Sequence, residues 1–176
     1  MHRCRPNRDP VPSRDQGASC AAVELRLADV DDIPRINRVV EASLATWDVA
    51  ERVRRLALPS LSYDAFDARH MTFVLAEARG AVVGVAAWEP AGPGDAPPGR
   101  RALLLHGLFV VPQWQRQGVG AALLAAARRA ATDARADGVV VRAWREAEGF
   151  FLAQGMLGFP GDAPDRSPRR LWRGCE

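Results

Sequence analysis

One titratable side chain interrupts the most apolar stretch of the chain. Residues 103–111 read LLLHGLFVV, and His106 is the only ionisable group among them. An imidazole titrates near neutrality, so at such a place it can accept a proton from a nucleophile. A histidine satisfied by a carbonyl in the core is the plainer alternative. Glu89 is a second candidate base. If the residues after it form a symmetric hairpin, Glu89 faces about Ala102, which is roughly 13 Å along a strand from His106. That ranks it below His106.

The second chemistry-bearing stretch follows directly. After Pro112 come Gln115, Arg116, Gln117, Gly118, Val119, Gly120 and Ala121, and then an Ala/Leu-rich segment. Apolar strand, glycine turn and helix in that order aim several backbone N–H groups and the positive end of a helix dipole at one spot. This is what a phosphate group needs. Glycines at 118 and 120 let a ligand approach the main chain, and Arg116 adds positive charge. A dinucleotide-binding turn fits less well, because the third glycine of G-x-G-x-x-G is Leu123 here.

These stretches need a sheet and helices to hold them. Residues 23–27 alternate as a strand. Asp29 or Asp31 caps a following helix with Pro34 in its first turn, and Ile33, Ile36, Val39, Val40 and Leu44 share one face of it. A second helix is expected over 49–58, ended by Pro59. Residues 60–70 form a polar connection. Strands follow at 71–78 and 81–88, joined by Arg79-Gly80. Residues 89–101, EPAGPGDAPPGRR, read as a loop. The central strand covers about 102–111 and the next helix about 118–136, with Gly138 as its cap. Residues 139–141, all Val, read as a strand buried on both faces. A short helix at 147–154 and a strand near 171–173 complete a single-domain α/β pattern. Residues 1–22, rich in Pro and Arg, read as a disordered leader before a domain at 23–176.

Composition narrows the partners. The net charge is +3, all 24 basic residues are Arg, and none is Lys. That usage reads as the coding bias of a GC-rich bacterial genome. With no dense Arg run carrying interleaved aromatics, nucleic-acid binding is not expected. No apolar run reaches the roughly 18 residues of a membrane span, so a cytoplasmic protein is the expectation. Cys4, Cys20 and Cys175 sit near the ends and offer neither a disulfide framework nor a metal cluster.

The pattern V-x-P followed by Q-x-x-G-x-G resembles the acetyl-CoA loop of the GCN5-related N-acetyltransferases (GNAT). The segment Ala147-x-x-Phe150-Phe151-x-x-x-Gly155-Met156 is similar to that family's signature on its last helix. The resemblance covers most of the chain after residue 22. It implies a mixed, mostly antiparallel sheet flanked by helices, with splayed central strands. It implies acetyl-CoA as cosubstrate and acetyl transfer to a primary amine of a small molecule or peptide, by direct attack in a ternary complex. The main chain at Leu108, Phe109 and Val110 would pair with the pantetheine arm, and a backbone N–H there would face the thioester oxygen. Phe150 and Phe151 would wall the channel. The family usually has Tyr at the position of Phe151, where its hydroxyl protonates the leaving thiolate. Phe cannot do this, so the alternative is a catalytically weak or silent acetyl-CoA-binding domain. The acceptor pocket would draw on Trp47, Tyr63, Asp64 and Trp88. A homodimer is also compatible with the family.

Overall fold

A computed structural model describes residues 22–163 and 168–175. The expected leader lies outside the described residues except for Ala22. Seven strands form one sheet: β1 (Glu24–Leu27), β2 (Thr72–Ala78), β3 (Ala81–Pro90), β4 (Ala102–Val110), β5 (Gly138–Ala143), β6 (Leu157–Gly158) and β7 (Arg169–Gly174). Their spatial order is β1-β2-β3-β4-β5-β7-β6. Every pairing is antiparallel except β4 with β5. The helices are α1 (Ile33–Leu44), α2 (Glu51–Leu61), α3 (Asp67–His70), α4 (Val119–Asp133) and α5 (Arg145–Ala153). No described helix is long and apolar enough to cross a membrane.

The two faces of the sheet bury different sets of side chains, as the period-two alternation of strands requires. Trp88, Leu105, Val139 and Val141 pack with Leu123 of α4 and Phe151 of α5. Phe73, Leu75, Val85 and Phe109 pack with Ile36 and Val40 of α1 on the opposite face. Lower on that second face, Leu104 and Val140 meet Phe159, with Ala91 and Ala96 of the β3–β4 connection against them.

Three local expectations are corrected. Pro59 does not end α2; it lies inside the last turn, and the Ser62 amide still donates to the Leu58 carbonyl at 2.9 Å. Proline's fixed φ suits a helix, and near the end the lost hydrogen bond costs little. Gly138 does not cap α4. The chain leaves the helix through Arg135 at φ 53°, with the Ala136 amide returning to the Ala131 carbonyl. Gly138 opens β5, where a Cβ would run into the Trp172 ring. Finally, β3 reaches Pro90 rather than stopping at Trp88, so Glu89 belongs to the sheet.

The central strands part. β4 and β5 pair only from Ala102↔Gly138 to Leu105↔Val141. Beyond that row β4 stays with β3, while Arg142 and Ala143 of β5 stay with β7. A fork opens in the middle of the sheet.

Candidate active site at the fork

His106 stands where the fork begins. On β3, Ala87 faces Gly107 and Trp88 faces Leu105, so His106 is the extra residue of a β-bulge. Glu89 lies on the turn side of the bulge, where an offset hairpin register sets it opposite Leu104, two residues from His106, instead of Ala102. Residues two apart on a strand share a face about 7 Å apart. Two side chains close that gap: His106 Nε2 lies 2.8 Å from Glu89 Oε1. The separation expected from a symmetric hairpin is therefore overturned, because β3 extends to Pro90 and pairs Glu89 with Leu104 and Pro90 with Leu103. The two candidate bases form one dyad, each about one third exposed.

Gly107 carries the next constraint. A Cβ there would collide with the Phe109 ring and the Tyr63 hydroxyl. The Tyr63 phenol thus lies over the bulge. Its ring meets Phe73 edge-on at 4.9 Å, and burial raises its pKa, which keeps it protonated. Asn37 fixes its backbone: the Asn37 amide donates to the Tyr63 carbonyl at 2.8 Å, and the Tyr63 N–H donates to Asn37 Oδ1 at 2.9 Å. Sequence reasoning missed Asn37. The available signal was a polar residue beside Ile36 on the apolar stripe of α1.

The other predicted acceptor residues divide. Trp47 closes from the end of α1 onto Trp144, the residue just past β5, with ring centroids 6.0 Å apart. This pair spans the two sides of the fork. Trp88 is a core residue, 4% exposed, on the α4 face, so it cannot enclose an acceptor. Asp64 is a cap: its carboxylate accepts from the amides of Phe66 and Asp67, and Asp67 returns a bond to the Asp64 amide. Capping rather than substrate binding accounts for it.

The glycine turn is built as a set of open donors. Gly118 is the N-cap of α4 at φ 85°, with no side-chain cap. The first helical bond runs from the Ala122 amide to the Gly118 carbonyl. Helix geometry leaves the amides of Val119, Gly120 and Ala121 without a helical acceptor. A Cβ on Gly118 would meet no protein atom, so this glycine is required for its φ and leaves space before the amides. At Gly120 a Cβ would press on the Phe150 ring at 3.1 Å, with Leu108 behind it. Arg116 is also left-handed, at φ 60°, and is exposed. The glutamine side chains brace the turn: Gln115 Nε2 donates to the Val110 carbonyl at 3.0 Å, and Gln117 Nε2 to the Gln113 carbonyl at 2.6 Å.

β4 supplies further main-chain groups. The Val111 amide donates to Val83 on β3. Alternation then turns Phe109 toward β3, and Leu108 and Val110 toward the fork. Phe150 is half-buried and meets Phe151 edge-on at 5.0 Å, whereas Phe151 is 4% exposed within the core.

Comparison with known proteins agrees with this geometry. The family model described as Acetyltransferase (GNAT) domain matches residues 69–155. The chain belongs to the GNAT superfamily. Its fold is similar to that of the PaiA N-acetyltransferase of Thermoplasma acidophilum, solved in complex with coenzyme A. The TM-score is 0.70 at 13% identity, covering 87% of this chain and 99% of that one. A GNAT family acetyltransferase of Brucella melitensis, in complex with acetyl-CoA, gives 0.61 at 21% identity, covering 88% of each chain. The aminoglycoside N-acetyltransferase AAC(6')-Iy in complex with CoA gives 0.59 at 16% identity, covering 84% of this chain and 95% of that one. No curated protein sequence matches the chain. As a GNAT protein, the chain has the architecture of acetyl-CoA-binding acetyltransferases.

Proposed function

We propose that this GNAT domain transfers an acetyl group from acetyl-CoA to a primary amine of a small molecule or peptide, with the His106–Glu89 dyad as the base. The single observation that carries the reading is the position of that dyad. It occupies the bulge at the mouth of the fork, on the strand that leads to the open amides of α4, with the Tyr63 hydroxyl over the neighbouring Gly107.

The residues fit the cosubstrate. The amides at 119–121 and Arg116 suit a pyrophosphate, and the fork-facing edge of β4 at Leu108 and Val110 suits the amide-bearing pantetheine arm. Bound acetyl-CoA supplies an activated acetyl: the acceptor nitrogen bonds to the carbonyl carbon while the C–S bond breaks and sulfur leaves as thiolate. The dyad's work is the proton. An alkyl amine with pKa near 10.4 is only about one part in two thousand neutral at pH 7. The Glu89 carboxylate accepts but does not donate, so in neutral His106 the hydrogen sits on Nε2 and the lone pair on Nδ1. Nδ1 takes the ammonium proton while Nε2–H stays on the Glu89 carboxylate, and the second proton, shed by the nitrogen once it is acylated, passes through water to the thiolate, so that the amide and the free thiol are the products.

Phe151 favours a second reading. Its buried phenyl offers no proton to the thiolate, as expected of a domain that holds acetyl-CoA without turning it over. Acetyl-CoA binding and thiol release, measured separately, distinguish the two. An N-acetyltransferase shows amine-dependent release. A binding domain shows ligand-induced stabilisation alone, about 2.7 kcal/mol at a hundred times Kd.

A further inference from the structure

The face of the fork that carries the dyad also carries a row of charge. Val139, Val141 and Ala143 of β5 point into the α4-side core, and Val140 points to the opposite face. Alternation puts Arg142 on the same face as Val140. It lies one row beyond Leu105↔Val141, so it is the β5 residue beside His106 where the strands begin to part. Its side chain is 55% exposed, and one terminal nitrogen donates to Asp95 of the β3–β4 connection. Arg170, its partner on β7, continues the row and is chelated by Asp162 at 2.7 Å through Nε. Across four strands the order is therefore Glu89, His106, Arg142, Arg170, with the negative end on β3 and the positive end on β5 and β7.

We propose that the acceptor is a small amine that also carries a carboxylate, an amino acid being the simplest case, and that Arg142 holds the carboxylate while the amine meets His106. This rests on the amine-acetylation reading. The bond to Asp95 engages one of the guanidinium's terminal nitrogens, and a guanidinium has five N–H donors in a fork that matches a carboxylate. Neighbouring strands lie about 4.8 Å apart at the last paired row, Leu105↔Val141, and His106 and Arg142 come directly after it. A small acceptor with its amine and carboxylate close together suits that opening. A polycationic acceptor would bring like charge against Arg142 and Arg170, whereas a zwitterion lies along the row with both ends matched.

The test compares each standard amino acid with its carboxamide and with the decarboxylated amine, using an aminoglycoside as the polycationic control. Product binding is measured in parallel by calorimetry, pairing each N-acetylamino acid with its N-acetyl amide, so that the readout does not depend on turnover. The expected result is a preference of about tenfold or more in kcat/KM, or in product affinity, for the free acid. Arg142→Gln should collapse that acid-over-amide ratio toward one, and Arg142→Lys should keep most of it. Equal handling of acid and amide by the native protein overturns the proposal, as does an unchanged ratio in Arg142→Gln. Acid-selective product binding without turnover supports the carboxylate site and counts against the transfer activity alone. Turnover confined to carboxamides, amines or the aminoglycoside supports the activity and removes the carboxylate site.

Discussion

His106 Nε2 and Glu89 Oε1 sit 2.8 Å apart, although seventeen positions separate them in sequence. The contact exists because β3 runs on to Pro90 in a register that sets Glu89 opposite Leu104, two residues from His106. If the imidazole takes the acceptor proton, its removal has a kinetic signature. His106→Ala should lower kcat by about a hundredfold or more and abolish the acid limb of the pH–rate profile. Glu89→Gln removes the carboxylate that accepts the Nε2 hydrogen and should cost less rate than His106→Ala. Rate measurements from pH 5 to 9 on both variants check this. Native rates in both would remove the dyad from the mechanism.

The two central glycines make separable predictions. Gly107→Ala forces its methyl into Phe109 and the Tyr63 hydroxyl, and should cost about 1–3 kcal/mol of stability. Gly118→Ala meets no atom but must hold φ 85°, at about 1–2 kcal/mol. Only the second alters the space before the open amides of α4. CoA affinity should therefore fall in Gly118→Ala by more than its loss of stability explains. Chemical denaturation and CoA titration on the pair decide it.

Asn37 acts through Tyr63. Asn37→Ala deletes both bonds to the Tyr63 backbone and should cost about 1–3 kcal/mol. Because Tyr63 lies over Gly107, the acceptor KM should rise in this variant while CoA affinity stays close to native. Parallel loss of both affinities would mean general loosening instead.

Far from the fork, Asp32 predicts the acid stability of the protein. It is 3% exposed and accepts from Arg26 at 2.6 and 2.9 Å, and Arg26 also reaches Glu77. The bonds from Arg26 lower its pKa from 3.8 to about 2, against an opposing push from burial. A carboxylate depressed in the folded state adds stability that is complete above its unfolded pKa and lost as pH falls through the folded one. Denaturation midpoints should therefore decline between about pH 4 and pH 2, by about 2 kcal/mol from this group. Asp32→Asn should start lower and flatten that step.

Much of the fold was legible in the sequence because its signals were local. The three valines at 139–141 announced a strand buried on both faces, and the glycines at 118 and 120 announced a helix start with open amides. The mixed sheet with splayed central strands followed from the resemblance and is present. What failed depended on pairing. Glu89 and His106 read as distant in the sequence because an offset hairpin register and the reach of β3 into a Pro/Gly stretch leave no periodic trace. Trp88 looked like a pocket residue, but alternation along β3 turns it into the α4-side core. Asp64 looked like an ammonium ligand, yet its carboxylate is used by the amides of its own turn. Arg142 had a signal that composition hid: a charge directly after three buried valines, in a chain where arginine is common.

Amine acetylation at the fork is read out by thiol release from acetyl-CoA, with and without an amine panel, in the native protein and in His106→Ala. Release should depend on the amine and fall by about a hundredfold in the variant. Tight acetyl-CoA binding with no release on any amine, or release unaffected by His106→Ala, would contradict it.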